Sequence, residues 1–122
     1  MPRRLRLSKE ADIDQLEIWV YTAEKFGLDQ ADRYKRLIGQ ALRDIAQDPH
    51  RNGVVSRSEI APELYSYPIH LSATRSGTRN HQARHFILYL ILSEREIGVS
   101  RILHESMEIS RHIPKTHLRG EI

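Results

Sequence analysis

The sequence contains no cysteine among its 122 residues. Disulfide scaffolds, cysteine-ligated zinc sites and thiol catalysis are therefore excluded, and the composition carries no mark of an oxidising compartment. Only six glycines and five prolines occur, too few for a collagen-like or low-complexity chain. No apolar run reaches the roughly 18 residues of a membrane span, and the first residues lack the apolar core of a signal peptide. These absences predict a small cytoplasmic protein without a membrane partner.

Charge is present in both signs, with 19 Lys and Arg against 16 Asp and Glu, and the formal net charge is +3. One stretch, 64–93, has no acidic residue at all. Its basic residues are His70, Arg75, Arg79, His81, Arg84 and His85. The stretch predicts either a solvated loop or a positively charged face for an acidic partner, which would be a protein or a nucleic acid.

Two amphipathic helices are predicted after a short strand over Arg4–Leu7. Ser8 is placed to cap the first helix and Gly27 to end it. The apolar face of this helix comprises Ile13, Leu16, Trp19, Val20, Ala23 and Phe26. Asp29 is predicted to cap the second helix, which ends at Asp48 because a residue before proline avoids helical geometry. The second apolar face comprises Tyr34, Leu37, Ile38, Ala41, Leu42 and Ile45. The short connection between the helices predicts an antiparallel hairpin.

The middle of the chain predicts one strand between two loops. A polar connecting loop covers 50–62, and Tyr65–Leu71 then alternates in polarity as a strand does. Pro68 cannot donate to a strand ladder, so this strand should lie at an edge or carry a bulge there. The residues 72–82 contain glycine and asparagine and predict an exposed basic loop.

The last part of the chain predicts a hairpin of two strands. His85–Leu92 is apolar on both alternating faces, which is typical of a central strand that is covered on both sides. Ile97–His104 is the returning partner strand. Met107–Ile113 predicts one or two helical turns, and 114–122 shows no usable pattern.

The predicted fold is therefore α+β, with the order β-α-α-β-β-β and a small antiparallel sheet of three or four strands packed against an N-terminal two-helix hairpin. The chain is expected to be one domain over 1–122, with an ordered core over about 3–113 and a tail over 114–122. The hairpin can cover only one face of the sheet. The C-terminal turn, a second copy of the chain or a partner protein must cover the other, and this mismatch favours a binding partner.

No metal, cofactor or conventional enzyme site is predicted. His81 and His85 are four residues apart and His104 and His112 eight apart, but the first pair lies on a loop and a strand, where that spacing does not align two rings. Neither a Gly-x-Ser-x-Gly sequence nor a glycine-rich phosphate loop occurs. Small basic domains can still cleave RNA with arginine and histidine. The residues that fit such a role are Arg84, Arg101, His104 and Arg111, but the last tyrosine is Tyr89 and the only lysine of the C-terminal half is Lys115.

The segment from His85 onward, with His-Phe-Ile-Leu-Tyr, a turn and Ile-Gly-Val-Ser-Arg-Ile-Leu-His-Glu-Ser-Met-Glu-Ile-Ser-Arg-His-Ile, resembles the C-terminal signature of ParE toxins. These belong to the RelE/ParE superfamily of type II toxin–antitoxin modules. The helical hairpin matches the family in kind and spacing, and Pro49 stands where the family ends its second helix. The matching hairpin residues are Ala11, Asp12, Leu16, Ile18, Tyr21, Phe26, Gly27, Ala31 and Tyr34. The likeness covers about 4–113, and 72–82 looks longer than the family's usual connection.

The resemblance implies a growth-inhibiting toxin of a plasmid-stabilisation module that a ParD-like antitoxin neutralises. ParE toxins are associated with DNA gyrase, and RelE toxins with cleavage of mRNA on the ribosome. RelE enzymes use a tyrosine near the C-terminus, which this chain lacks, so the ParE branch and a non-enzymatic action are favoured. An mRNA endonuclease and an inactive relative that acts as a binding module remain the alternatives. A homodimer or a hetero-oligomer with the antitoxin is expected, and sequence-specific nucleic-acid binding is not.

Two groups of site residues follow from this interpretation, and none of them is assigned to catalysis. The candidates for target binding are Arg84, Arg101, His104, Met107 and Arg111. The candidates for antitoxin binding are Ile18, Trp19, Tyr21 and Tyr89. Structural roles are the alternative: a carboxylate would pair with Arg101, the core would hold Met107, and His104 would cap its strand.

Overall fold

The computed structural model describes residues 2–76 and 83–122, without the side chains of residues 75 and 76. The strands are β1 (Arg4–Leu7), β2 (Val55–Ser56), β3 (Leu64–Pro68), β4 (His85–Ile91) and β5 (Glu96–His104). The helices are α1 (Lys9–Phe26), α2 (Leu28–Gln47), α3 (Ala73–Ser76), α4 (Ile109–His112) and α5 (Lys115–Leu118), and a 3-10 turn covers Ile69–Ser72. Within the described ranges, no helix is both long and apolar enough to cross a bilayer.

The predicted α+β class is confirmed, and the sheet has the strand order β1-β5-β4-β3-β2. β4 is the central strand, as predicted, and pairs antiparallel with β3 and β5. Two details differ from the expected antiparallel sheet of three or four strands. β1 pairs parallel with β5, so the sheet is mixed, and the predicted loop over 50–62 contains the two-residue strand β2.

The strand around Pro68 is shorter than the sequence predicts. β3 ends at Pro68, and Ile69–Ser72 forms the 3-10 turn instead of continuing the strand. β2 pairs only with Tyr65 and Ser66, so Pro68 lies beyond the reach of a second neighbouring strand. The edge position that its missing N–H requires is confirmed. The expected exposed loop begins with α3, and its residues 77–82 lie outside the described residues.

α1 has the predicted ends but buries a different face. The Ser8 hydroxyl accepts a hydrogen bond from the Ala11 N–H at 2.9 Å, and Gly27 ends the helix with φ of +93°. The predicted apolar face is wrong as a core face, because Ile13, Leu16, Val20 and Phe26 are exposed. The face against β5 instead carries Ala11, Asp14, Ile18 and Thr22. Ala11 and Asp14 are buried on this face, and Asp14 is paired there with Arg101.

α2 follows the sequence prediction along its whole apolar face. Its six predicted core residues are all buried: Tyr34, Leu37, Ile38, Ala41, Leu42 and Ile45. The helix ends at Gln47, and the extended backbone of its C-cap residue, Asp48, precedes Pro49 as predicted. Asp29 is not its cap, however. The helix begins at Leu28 directly after Gly27, and no side chain caps it.

The second face of the sheet is covered by the C-terminal part of the same chain. A second apolar cluster joins sheet residues such as Leu88 and Leu103 to Ile109 and Ile113 of this segment, and Leu118 and Ile122 pack against it. The structure thus continues past Pro114, where the sequence offered no pattern. The argument for a partner from an uncovered sheet face does not hold, since the C-terminal turn, one of the three expected coverings, supplies the cover.

Candidate functional site

The outer face of α1 carries an unpartnered apolar surface. Ile13, Leu16 and Val20 are 49%, 62% and 41% exposed, and their spacing of three and four residues places them on one side of the helix. We call these three residues the α1 stripe. Isolated exposed apolar residues are ordinary, but a contiguous row of them marks a surface that binds another molecule.

A groove between α1 and α2 adjoins the α1 stripe. It has a volume of about 440 Å³, and the residues that line it include Leu16 and Trp19 from α1 and Lys35 and Ile38 from α2. The indole N–H of Trp19 donates to Asp32 at 3.2 Å, which fixes the ring across the two helices. We call this feature the helix groove. It offers apolar walls with a few charged groups at the rim, as surfaces for a peptide helix do.

The structure separates the four candidates for antitoxin binding. Trp19 lines the helix groove, and Tyr21 is exposed further along α1. Ile18 is partly buried against the core of the sheet. The prediction is wrong for Tyr89, which has no exposed surface because it lies on the central strand under α2 and donates its hydroxyl to the Pro49 carbonyl at 2.6 Å. Burial raises the pKa of this phenol.

Two histidines meet where β4 begins and β5 ends. His85 and His104 are paired in the ladder, and their rings contact edge to face with centroids 5.3 Å apart. They line a pocket of about 510 Å³ together with Tyr21, Phe26, Tyr34 and Arg84. We call it the histidine pocket. The strand register therefore brings Arg84 and His104, two of the candidates for target binding, into one site.

Hydrogen bonds indicate which ring nitrogen acts as the acceptor in each imidazole of the histidine pocket. The Tyr34 hydroxyl lies 2.6 Å from Nδ1 of His85, and burial raises the pKa of Tyr34 to about 12. Burial and the neighbouring His104 lower the pKa of His85 to about 4. Near neutral pH the phenol is thus protonated and donates to an unprotonated Nδ1, so His85 carries its proton on Nε2. In His104, Nδ1 accepts the Ser106 N–H at 3.1 Å, which likewise places the proton of the neutral ring on Nε2.

Arg101 is committed to holding the fold together. Its guanidinium bonds both carboxylate oxygens of Asp14 at 2.8 Å, and Nη1 donates to the His112 carbonyl at 2.6 Å. Asp14 accepts the Ile102 N–H as well. This geometry matches the structural alternative for Arg101 rather than a target-facing role. The hydrogen bonds that Arg101 donates to Asp14 raise the pKa of the guanidinium above its ordinary value.

The remaining two candidates for target binding are exposed beyond the end of β5. Met107 is 42% exposed rather than held in the core, and its N–H donates to the His104 carbonyl at 2.9 Å. Arg111 on α4 forms an exposed ion pair with Glu108 at 3.1 Å. Arg84 forms a similar exposed pair with Glu105 at 2.8 Å. Neither Met107 nor Arg111 lines the histidine pocket.

Sequence reasoning missed Tyr34, His85 and Asp14 as site or pairing residues. The first two are 51 residues apart, and Tyr34 belongs to a core face, so no local pattern connects them. Asp14 did leave a signal, since an acidic side chain between Ala11 and Ile18 on one helical face requires a partner if that face is buried. Of the predicted basic stretch, Arg79 and His81 lie outside the described residues.

The amino-acid sequence is similar to known proteins over most of its length. Residues 5–109 match the family model described as ParE toxin of type II toxin-antitoxin system, parDE. The chain is 29% identical over 114 residues to Toxin ParE1 of Mycobacterium tuberculosis, covering 93% of this chain and 100% of the relative. It is 26% identical over 108 residues to Toxin ParE1 of Caulobacter vibrioides, covering 88% and 95%.

One solved structure is similar in fold. It is described as the chromosomal ParDE TA system from P. aeruginosa, and the superposition has a TM-score of 0.61 over 84% of this chain and 95% of that chain. The sequence identity is 14%, so this likeness concerns the fold alone.

Proposed function

Because this chain belongs to the ParE toxin family of type II toxin–antitoxin systems, we propose that a ParD-like antitoxin neutralises it and that the free chain inhibits DNA gyrase in the cytoplasm. The observation that carries the first half is the α1 stripe, an apolar row that no part of the described chain covers. The second half rests on the family membership and on the exposed cationic groups near the end of β5.

The antitoxin surface is the α1 stripe with the adjoining helix groove. Apolar side chains at helical spacing beside a groove accept the apolar face of an amphipathic helix. Trp19 and Tyr21 flank this row and supply aromatic contact area of the kind that dominates binding energy. Asp12 and Lys35 line the groove and carry opposite charges, which can align a bound helix along it. The partner segment is therefore an amphipathic helix of the antitoxin.

The double variant Leu16→Ser/Val20→Ser tests this surface. It should weaken antitoxin binding about 30-fold or more, since two central apolar contacts are lost. The matched control is Val55→Ser/Leu71→Ser, which removes the same side chains at positions 45% and 44% exposed elsewhere on the chain. Calorimetric titration with the cognate antitoxin measures both. Equal affinity of the two double variants would place the antitoxin on another surface.

The candidates for gyrase contact are the exposed residues Arg84, Met107 and Arg111 and the partly buried His104. Arg101 is not among them, because Asp14 and the His112 carbonyl already bind its guanidinium.

A gyrase supercoiling assay with the purified chain, beside a ribosome-dependent mRNA cleavage assay, tests the target. We expect inhibited supercoiling and intact message, and Met107→Ala/Arg111→Ala should relieve the inhibition while the exposed control Arg33→Ala does not. Cleaved message with unaffected gyrase would favour the endonuclease alternative. No effect in either assay would indicate that the chain acts only as a binding module.

A further inference from the structure

We propose that the histidine pocket binds a nucleoside monophosphate group, supplied as a free nucleotide or as the end of a single nucleic-acid strand. The pocket volume of about 510 Å³ lies within the roughly 300–1,000 Å³ of small-molecule sites. This inference stands on the pocket alone. The pocket shares Arg84 and His104 with the proposed gyrase contact and Tyr21 with the proposed antitoxin surface. The titrations that test it use the chain without antitoxin or gyrase, so their outcome does not depend on either contact.

Hydrogen-bond donors gather at the strand end of the pocket. His85 and His104 each carry a proton on Nε2, as their bonds to Tyr34 and Ser106 require, and neither Nε2 has a partner within residues 2–76 and 83–122. Arg84 is largely exposed, and one nitrogen of its guanidinium contacts Glu105, so its other donors are available. Two imidazole N–H groups and a guanidinium fork match the several acceptor oxygens of a phosphate.

Aromatic rings stand at the helix end of the pocket. Tyr21 and Phe26 lie on the last turns of α1 and are 58% and 69% exposed. Exposed rings beside a cationic group provide stacking surfaces for a nucleobase, which binds any aromatic face with little regard to sequence. Gln30 also lines the pocket and adds an amide that can bond a base edge or a ribose hydroxyl.

The donors at one end of the histidine pocket and the aromatic rings at the other together favour a nucleotide over simpler ligands. A purely apolar ligand would leave the imidazole donors and Arg84 unsatisfied, and an inorganic anion would leave the exposed rings of Tyr21 and Phe26 in water. Only a ligand with a phosphate at one end and a flat aromatic group at the other satisfies both ends of the pocket. Two carboxylates lie near the strand end of the pocket. Glu105 accepts a hydrogen bond from Arg84 at 2.8 Å. Asp14 acts electrostatically on His85 while it is paired with Arg101.

Calorimetric titration of the purified full chain with adenosine monophosphate, adenosine and inorganic phosphate tests the proposal. The monophosphate should bind more tightly than either part. Phe26→Ala should weaken adenosine monophosphate about tenfold and leave inorganic phosphate unchanged, because it removes only a stacking surface. No binding of adenosine monophosphate at millimolar concentration, or equal affinity for it and adenosine, would overturn the site.

A matched pair of arginines gives the second arm. Arg84→Gln should weaken the monophosphate about tenfold, whereas Arg111→Gln should not, although each removes an exposed arginine paired with a glutamate. Equal loss in both variants would reduce the effect to net charge and overturn the proposal. A short 5′-phosphorylated RNA, run beside the mononucleotide, separates the two sources: tighter binding of the RNA identifies a strand end, and tighter binding of the mononucleotide a free nucleotide.

Discussion

The hydrogen bond between Tyr34 and His85 links the core of the molecule to its surface pocket. Tyr34 lies in the buried face of α2, and its hydroxyl reaches the first residue of β4 at 2.6 Å. Burial of both rings keeps the phenol protonated and the imidazole neutral at physiological pH. The pair therefore sets which nitrogen of His85 faces a ligand as a donor, and it is sensitive to acid.

The lowered pKa of His85 predicts a pH-dependent stability. Its pKa is about 4 in the folded chain and about 6.5 when unfolded, so the unfolded state binds more protons between these values. The stabilising contribution is complete above pH 6.5 and is lost as the pH falls towards 4. We expect this single group to cost the wild type about 2–3 kcal/mol of unfolding free energy over that range, at 1.36 kcal/mol per pH unit.

Urea denaturation between pH 4 and 7 measures the effect. The variant His85→Asn should show a shallower dependence of the unfolding free energy on pH than the wild type. His70→Asn, at an exposed histidine, should retain the wild-type dependence. Parallel pH curves for the wild type and His85→Asn would contradict the assignment.

At the scale of elements, a charged contact joins α1 to the sheet beside the apolar contacts of Ala11 and Ile18. The face of α1 against β5 is short and partly polar, and the pair of Asp14 with Arg101 crosses that interface while Ile102 donates to the same carboxylate. Nη1 of Arg101 also ties β5 to the end of α4. One guanidinium thus connects α1, β5 and the C-terminal segment.

Removing this guanidinium should loosen the three elements together. Arg101→Ala leaves the Asp14 carboxylate, only 7% exposed, without its counter-ion, and such changes cost about 3–5 kcal/mol. Arg111→Ala removes an exposed arginine and should change the unfolding free energy by less than about 0.5 kcal/mol. Urea denaturation of both variants is the measurement. If Arg101→Ala is as stable as Arg111→Ala, the pair does not anchor α1.

The pair of Asp14 with Arg101 also explains why the buried face of α1 differs from the predicted one. Two faces of the helix have helical periodicity: the α1 stripe, and the row of Ala11, Asp14, Ile18 and Thr22. Hydrophobicity favours the α1 stripe as the buried one, because the other row contains an acidic residue and a hydroxyl. The pairing of Asp14 with an arginine 87 residues away reverses that choice, and the sequence pattern alone does not reveal it.

At the scale of the whole molecule, residues 114–122 pack against the sheet and α1. His117 is buried, accepts or donates a hydrogen bond with the Ser100 hydroxyl at 2.7 Å, and lies 3.4 Å from Glu10 of α1. Leu118 and Ile122 pack on the second apolar cluster of the sheet. This segment therefore closes the face of β4 and β5 that the helical hairpin does not reach.

Shortening the side chains of Leu118 and Ile122 should expose the face of β4 and β5 on which they pack. Leu118→Ala/Ile122→Ala should lower the unfolding free energy by about 3 kcal/mol, because two partly buried aliphatic side chains are lost, and should raise the binding of an apolar fluorescent dye. Lys115→Ala/Thr116→Ala, at exposed positions of α5, is the control and should do neither. Dye binding that is unchanged in both variants would mean that the segment does not protect the sheet.

The sequence by itself determined the elements that depend on neighbouring residues. Ser8, Gly27 and Pro49 define the ends of the helical hairpin, the α2 face is correct at every position, and the two apolar faces of β4 identified the central strand. The resemblance to ParE toxins was carried by residues within these elements, and the family match confirms it. All of these features are local, because capping, proline geometry and periodicity act over a few residues.

Only the tertiary structure decided which surfaces meet. The buried face of α1, the bond between Tyr34 and His85, and the covering of the sheet by 114–122 all join residues far apart in the chain. Periodicity shows that a helix has a face but not which neighbour that face meets, and it is silent for a short segment such as α5. The candidate sites depend on these long-range choices, since the α1 stripe is free because another face of α1 binds β5.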